Sequence, residues 1–171
     1  MNNFNADYLR GKEGEDIVSK IITQLTQDYI IYPVTDLHEQ YYGDYKLINR
    51  LSNDIVYVEV KRDDFIAKTG NFYLEEWQYF DQYEKAGFMY HPYQFIIFVS
   101  VQNKMLYVVD FTALRNNYKR SFAHEYPRSG YGREYYLCDE YQLRKWKALM
   151  YKIDYNDDTQ LKVYDYMGCN K

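Results

Sequence analysis

Two short runs in which hydrophobic and polar residues alternate, within YYGDYKLINRLSNDIVYVEVKRDD (41–64), predict a β-hairpin. We expect its strands at 44–50 and 55–62, with the turn at Ser52-Asn53-Asp54. Side chains on a strand point alternately to opposite faces. The second strand should therefore turn its valines towards a core and present Tyr57, Glu59 and Lys61 on the other face.

A two-residue turn at Ser52-Asn53 would place Asp44 across from Lys61 and diagonal to Glu59, with all three on one face. Two carboxylates at close range repel each other unless a proton or a cation lies between them. Such an oxygen-rich site suits Mg²⁺, and a neighbouring lysine can stabilise charge on a phosphate. The alternative is a solvated cross-strand charge pair without chemistry.

The remaining pattern predicts a mixed α+β or α/β layer fold, in a single domain over 1–171. An apolar stripe of period 3.6 predicts a first helix over about 14–28. We expect further strands at 29–34, 93–101, 105–111 and 133–139, helices at 112–122 and 140–153, a loop at 126–132, and an extended or helix-entering segment at 72–77.

Composition supports one folded domain and adds an uneven charge distribution. The chain has 171 residues, of which 47% are hydrophobic and 20% aromatic, with a net charge of −4. This net charge gives no global sign of nucleic-acid binding. Residues 1–103 carry a net charge of −7, however, whereas residues 104–147 carry +4.

No targeting segment or second cofactor is indicated by the sequence. The start lacks a signal-peptide apolar region, and the longest apolar run, FIIFV, is too short to span a membrane. The two cysteines and three histidines show no metal-ligand spacing, and no glycine-rich phosphate loop indicates a nucleotide cofactor. We therefore expect a cytoplasmic protein without a membrane partner.

The spacing of the charged residues resembles the PD-(D/E)xK nuclease superfamily. Asp44 is followed, after fourteen residues, by Glu59-Val60-Lys61. Upstream, GKEGEDIVSKII resembles the opening of the Holliday-junction-resolvase branch, with Gly11 followed by Glu15 on the helix. The resemblance covers residues 11 to about 111, leaves 112–171 as a C-terminal elaboration, and implies a restriction-endonuclease-like core in which helices flank a central mixed sheet.

Two further details of the resemblance concern residues beside the main motif. KTGNFYLEEW resembles phage-type members, which makes Glu75 and Gln78 additional site candidates, with ordinary surface polarity as the alternative. The proline that often precedes the first acid is absent, and Gly43 stands there instead.

The resemblance implies Mg²⁺-dependent hydrolysis of DNA phosphodiester bonds, with Mn²⁺ as a substitute. Asp44, Glu59 and the carbonyl of Val60 would bind the metal, which would activate a water molecule. Lys61 would position that water or stabilise the phosphate, and Glu15 would complete the outer shell. For Glu15 the alternative is a helix acid that complements the helix dipole. For the whole protein it is an inactive nuclease fold that binds or mimics DNA, of phage or mobile-element type.

A basic segment supplies candidate DNA contacts. Its cations can neutralise phosphates, and the tyrosines between them can stack on unpaired bases; the cations are Arg115, Lys119, Arg120, Arg128 and Arg133. We expect these five side chains to flank the same cleft, and a solvated helix and loop is the alternative. The substrate could be branched or single-stranded DNA, and a homodimer is left open because nucleases that cut both strands are often dimers.

Overall fold

The computed structural model describes the backbone of residues 3–80, 83–121, 123–128, 131–156 and 160–167, and the side chains of 7–78, 85–121, 132–156 and 160–167. The helices are α1 (Asn3–Leu25), α2 (Ile66–Thr69), α3 (Phe111–Arg115) and α4 (Glu140–Lys145). The strands are β1 (Tyr29–Pro33), β2 (Tyr45–Asn49), β3 (Ile55–Arg62), β4 (Asn71–Phe80), β5 (Tyr83–Ala86), β6 (Phe95–Ser100), β7 (Met105–Asp110), β8 (Ala123–Arg128), β9 (Tyr131–Asp139), β10 (Leu149–Asp154) and β11 (Lys162–Asp165).

The strands form two sheets. A central seven-stranded sheet has the order β1-β2-β3-β6-β7-β10-β11, and a second, four-stranded sheet has the order β5-β4-β9-β8. The central sheet is mixed, because β3 and β6 run parallel whereas the other described pairs are antiparallel. The predicted class, mixed α+β with a central mixed sheet flanked by helices, is confirmed.

Both faces of the central sheet are covered. On one face, Val18 and Ile21 of α1 pack with Val58 and Val60 of β3. On the other face, the second sheet contributes to a core whose largest fully buried aromatic residues are Phe72, Phe98 and Phe111. Strand β6 lies between the two cores and is apolar from Phe95 to Val99, as expected for a strand that is buried on both faces.

The second sheet is built partly from the connection between β3 and β6. Parallel neighbours need a long crossover, and here it contains α2, β4 and β5. Strands β8 and β9 then pair with β4 from later in the chain. At the end of β3, Glu59 and Lys61 therefore lie on the side of the central sheet that faces the second sheet.

The first helix starts earlier than the sequence pattern predicts. It runs from Asn3 rather than from residue 14. Tyr8 and Leu9 are exposed in its first part, whereas the buried residues of the helix, such as Val18, come later. The periodic stripe appears only where the helix packs on the sheet, so the pattern could not mark the exposed turns.

The predicted helix at 140–153 is wrong in its second half. Helix α4 ends at Lys145, Lys147 adopts a left-handed φ of 56°, and the chain continues as β10, which pairs with β7. The apolar residues Leu143, Leu149 and Ile153 suit either structure, and pairing with an edge of the central sheet decides between them. Residues beyond 111 thus complete the central sheet.

Three other segments between 72 and 139 also differ from, or refine, the prediction. The extended alternative for 72–77 is confirmed, since these residues lie within β4. The predicted helix at 112–122 is reduced to α3 and a 3₁₀ turn at Tyr118–Arg120. The loop predicted at 126–132 overlaps β8 and β9, which pair with each other.

No helix in the described ranges has both the length and the hydrophobicity needed to cross a membrane.

Phe72 offers a test of the packing between the sheets. It belongs to β4, is 1% exposed, and meets Phe98 and Tyr107 of the central sheet edge-on, with ring centroids 5.1 and 4.9 Å away. We expect Phe72→Ala to lower the free energy of unfolding by about 3–5 kcal/mol in urea denaturation. Tyr141→Ala, at a 70% exposed position, should change it by less than about 0.5 kcal/mol. A small loss for Phe72→Ala would mean that the sheets are not packed as described.

Candidate functional site

Asp44 lies close to Glu59 at the end of the hairpin, one residue before β2 begins. The register of β2 and β3 pairs Tyr45 with Val58, and the backbone N–H of Asp44 donates to the carbonyl of Val58 at 2.9 Å. The predicted register, with Asp44 across from Lys61, is wrong by two residues. The connection contains four residues (50–53) instead of two, with Asn53 at a φ of 62°. An even displacement preserves the faces of the paired residues, and the Glu59 charge reaches the Asp44 carboxylate just outside the pairing.

Gly43 allows this close approach of the two strands. Its φ is 134°, and a Cβ atom there would lie 2.7 Å from the carbonyl oxygen of Val58. Real Cβ atoms do not approach a backbone oxygen so closely, and only glycine adopts this φ without strain. Glycine is therefore required by the backbone next to Asp44.

The Asp44 carboxylate is held against the backbone of β3. Its Oδ2 accepts the N–H of Val60 at 2.7 Å. Because the N–H and C=O of one strand residue point to the same side, the carbonyl of Val60 also points towards the β2 side, where Asp44 lies. Burial and the nearby charge of Glu59 raise the pKa of Asp44 to about 7, although Lys61 and the Val60 hydrogen bond oppose the shift.

Lys61 is bound to Glu59. Its Nζ donates to Glu59 Oε1 at 2.5 Å and lies 5.3 Å from the ring centroid of Phe88. The Glu59 side chain is 12% exposed and the Lys61 side chain 37% exposed. Burial lowers the pKa of Lys61, but the charges of Glu59 and Asp44 outweigh burial and the net shift is upward. Lys61 is therefore a cation at neutral pH.

Glu15 lies near Asp44, but its carboxylate is bound to Lys12. Its carboxylate accepts Lys12 Nζ at 3.0 Å, and its backbone carbonyl accepts the Tyr45 hydroxyl at 3.1 Å. Its charge contributes to the raised pKa of Asp44. The helix is brought close to β3 at Gly14, where an added Cβ would lie 3.1 Å from the Cβ of Arg62.

Glu75 and Gln78 lie on β4, facing the same region. Gln78 Nε2 donates to Glu75 Oε1 at 2.6 Å, and Arg133 contacts Glu75 Oε2 at 3.3 Å. Glu75 is buried, and its charge contributes to raising the pKa of Lys61. The structure therefore places these two candidates in one polar cluster beside the lysine.

The basic segment is divided between different surroundings. Lys119 binds Glu76, whose side chain is 2% exposed and also accepts the hydroxyl of Tyr118 at 2.7 Å. Tyr118 is therefore an internal hydrogen-bond donor, not an exposed stacking surface. Arg115 and Arg120 are exposed on the surface. The side chain of Arg128 lies outside the described residues, as do those of Tyr126 and Tyr131.

An open cleft of about 730 Å³ lies beside Lys61. Of the basic-segment cations whose side chains are described, the structure places only Arg133 among its lining residues. The other lining cations are Arg10 and Arg62, which the sequence analysis missed because they come from α1 and the end of β3. Lys61 contacts the Glu59 carboxylate and also lines the cleft.

The donor set around Asp44 fits Mg²⁺ better than a transition metal. In the described part of the chain, no group of three or more His, Cys, Asp or Glu side chains is arranged to hold an ion. Mg²⁺, however, is commonly held by one or two carboxylates and keeps several water ligands. Asp44, Glu59 and the carbonyl of Val60 can supply such a site, whereas a closed four-ligand site such as structural Zn²⁺ requires has no donors here.

Comparison of the chain with protein-family models, with curated proteins and with solved structures finds no match. The resemblance to PD-(D/E)xK nucleases therefore stays a prediction. The chemistry of the site follows from its own geometry, namely two neighbouring carboxylates, an ion-paired lysine and the adjoining cleft.

Gly43→Ala should distort the site and destabilise the protein. The new Cβ would collide with the Val58 carbonyl, so we expect a loss of about 1–3 kcal/mol in the free energy of unfolding. Gly11→Ala is the matched control, because nothing lies within 4 Å of an added Cβ at that position on α1. It should stabilise the protein by about 1 kcal/mol through helix propensity. Equal melting temperatures for both variants would contradict the close approach at Gly43.

Asp44→Asn should change how stability depends on pH. With a pKa of about 7, native Asp44 keeps a proton between about pH 4 and 7 that the unfolded chain has released. The free energy of unfolding should therefore fall as pH rises through this window. In EDTA, Asp44→Asn should flatten the fall and be more stable than the parent at pH 8, by about 2–4 kcal/mol. Asp16→Asn, at an exposed position, is the control and should show the same pH dependence of the free energy of unfolding as the parent. The same pH dependence in Asp44→Asn would contradict the raised pKa of Asp44.

Proposed function

We propose that the protein is a Mg²⁺-dependent deoxyribonuclease that hydrolyses phosphodiester bonds and acts in the cytoplasm. One observation carries this proposal: the Asp44 carboxylate is held on the β3 backbone close enough to Glu59 for the two charges to interact, and the ammonium of Lys61 lies 2.5 Å from Glu59. Two neighbouring carboxylates are unfavourable without a cation or proton between them. Burial and the Glu59 charge, which raise the pKa of Asp44 to about 7, also make a bound cation favourable at this position.

Three groups of the chain would hold the ion: the carboxylates of Asp44 and Glu59 and the carbonyl of Val60. Mg²⁺, or Mn²⁺ in its place, would lower the pKa of a bound water molecule and so favour its deprotonation for attack on the phosphate. Asp44 must release its proton to bind a cation, so metal affinity should rise as pH passes through about 7.

Lys61 would act on the phosphate. Its side chain is 37% exposed and lines the cleft, so its ammonium can turn from Glu59 to a non-bridging phosphate oxygen. The raised pKa keeps the ammonium charged at neutral pH. A fixed cation at the position where negative charge develops stabilises the transition state. The neighbouring Glu75 and Gln78 would limit the directions that Lys61 can take.

Glu15 would act from the outer shell rather than as a ligand. Its carboxylate is bound to Lys12, and its charge raises the pKa of Asp44. It would therefore add negative potential around the ion. Of the proposed DNA contacts, Arg133 lies at the cleft, whereas Arg115 and Arg120 would contact DNA from the outer surface.

A second candidate function is DNA binding, or inhibition of another DNA-binding protein, without catalysis. The ion pair between Lys61 and Glu59 favours it, because this pair compensates the Glu59 charge without a metal. The two functions differ in one measurement. A panel of single-stranded, linear, nicked, flap and four-way DNA with Mg²⁺, Mn²⁺ or EDTA should show metal-dependent cleavage for a nuclease and binding alone for the second function.

Glu59→Ala and Lys61→Ala should both abolish cleavage but differ in metal binding. Glu59→Ala removes a proposed ligand, so calorimetry with Ca²⁺ or Mn²⁺ should show weaker binding. Lys61→Ala removes a positive charge beside the ion, so affinity should stay equal or rise. Its turnover should fall by about 10²–10³-fold, with a smaller effect on DNA affinity.

The ion pair between Lys152 and Glu140 provides matched controls for these variants. It lies in β10 and α4, with 2.8 Å between Nζ and Oε2. Lys152→Ala and Glu140→Ala should cut DNA like the parent and bind metal equally well. Full activity in both Glu59→Ala and Lys61→Ala would rule out this site as the nuclease centre.

A further inference from the structure

We infer that the cleft beside Lys61 binds unpaired nucleotides of the substrate strand, with a base stacked on Phe65. This inference rests on the proposed nuclease function and adds a substrate class to it. The cleft joins residues from separate parts of the chain, among them α1, the end of β3 with the residues that follow it, β4, β6 and β9. The residues it brings together supply both an aromatic surface and a cationic one.

The aromatic surface consists of the exposed Phe65 and of two tyrosines whose rings contact each other. Phe65 lines the cleft and is 62% exposed, although it directly follows the polar sequence Arg62-Asp63-Asp64. Tyr73 and Tyr135 also line it, with ring centroids 4.5 Å apart and planes tilted by 35°. Every nucleobase has a π-face, so exposed rings of this kind bind unpaired bases regardless of sequence.

The cationic surface follows the same cleft. Arg10, Arg62 and Arg133 line it together with Lys61, against the two carboxylates of Asp63 and Asp64. Asp63 is buried and accepts the backbone N–H groups of Phe65 and Tyr73, so it is used in holding the cleft together. The lining side chains therefore carry more positive than negative charge, although each cation has an acidic partner: Asp64 for Arg10 and Arg62, Glu59 for Lys61 and Glu75 for Arg133. Phosphates can compete for arginines that are ion-paired at the surface.

Size favours a single strand. A cube of 730 Å³ has edges of about 9 Å, whereas the major groove alone of B-form DNA is about 12 Å wide. The cleft has the size of a small-ligand site. It can take one or a few nucleotides but cannot enclose a duplex, so the scissile phosphate at Lys61 would adjoin an unpaired segment.

Phe65 can be tested by binding measurements that do not require cleavage. Fluorescence anisotropy with labelled single-stranded DNA and with blunt duplex DNA, both in Ca²⁺ to suppress turnover, compares the parent with Phe65→Ala, Phe65→Trp and Tyr141→Ala. We expect the parent to prefer the single strand. Phe65→Ala should bind it roughly tenfold more weakly, as for the loss of one base stack. Phe65→Trp should restore binding, and Tyr141→Ala, at a 70% exposed position away from the cleft lining, should match the parent.

Arg10→Ala adds an independent readout, because it should reduce the slope of log K against log salt by about 0.7. Melting curves establish that each variant is folded. Parent-like binding of single strands by folded Phe65→Ala, or tighter binding of blunt duplex by the parent, would overturn the inference. The proposed function fails separately, if the parent cuts none of the DNA forms with any metal. In that case, a Phe65-dependent preference for single strands would still support the assigned cleft.

Discussion

The arrangement of the site depends on the close contact between Gly43-Asp44 and the Val58–Val60 backbone. The absence of a side chain at Gly43 lets β2 approach β3, and the Val60 N–H then fixes the Asp44 carboxylate. That hydrogen bond places Asp44 close to Glu59 in a half-buried position, where two negative charges raise each other's energy. The repulsion is offset on one side by Lys61, which binds Glu59, and on the other by the proton that Asp44 retains up to about pH 7. A metal ion would replace both.

The two cores hold this contact in place from opposite sides. Helix α1 packs on Val58 and Val60, so β3 cannot move away on that face. The second sheet covers the other face and brings Glu75 and Arg133 to the side of Lys61, and Phe88, in the turn that follows β5, contacts the ammonium of Lys61. The same insertion that completes the core therefore also forms a wall of the cleft. The second sheet therefore provides both structural support and part of the binding surface.

The carboxylates of Glu76 and Asp44 differ in how their negative charges are compensated. Glu76 is buried and satisfied by Tyr90, Tyr118 and Lys119, and these contacts lower its pKa despite burial. None of these four residues lines the cleft. Around Asp44, in contrast, burial and the Glu59 charge raise the pKa. This difference, a carboxylate left with too few donors, is the physical basis for proposing chemistry at Asp44 rather than at Glu76.

The sequence by itself determined the alternation of β3, and with it the shared face of Glu59 and Lys61, because side chains two residues apart on a strand point to the same face. It also indicated both central hairpins and the mixed α+β class. Only the tertiary structure decided the register, since a four-residue turn replaced the two-residue one. Pairing with β7 likewise turned 149–154 into a strand, because its apolar residues fit either structure. The cleft was beyond the sequence for the same reason: Arg10, Phe65 and Tyr135 are distant in the chain and meet only through packing.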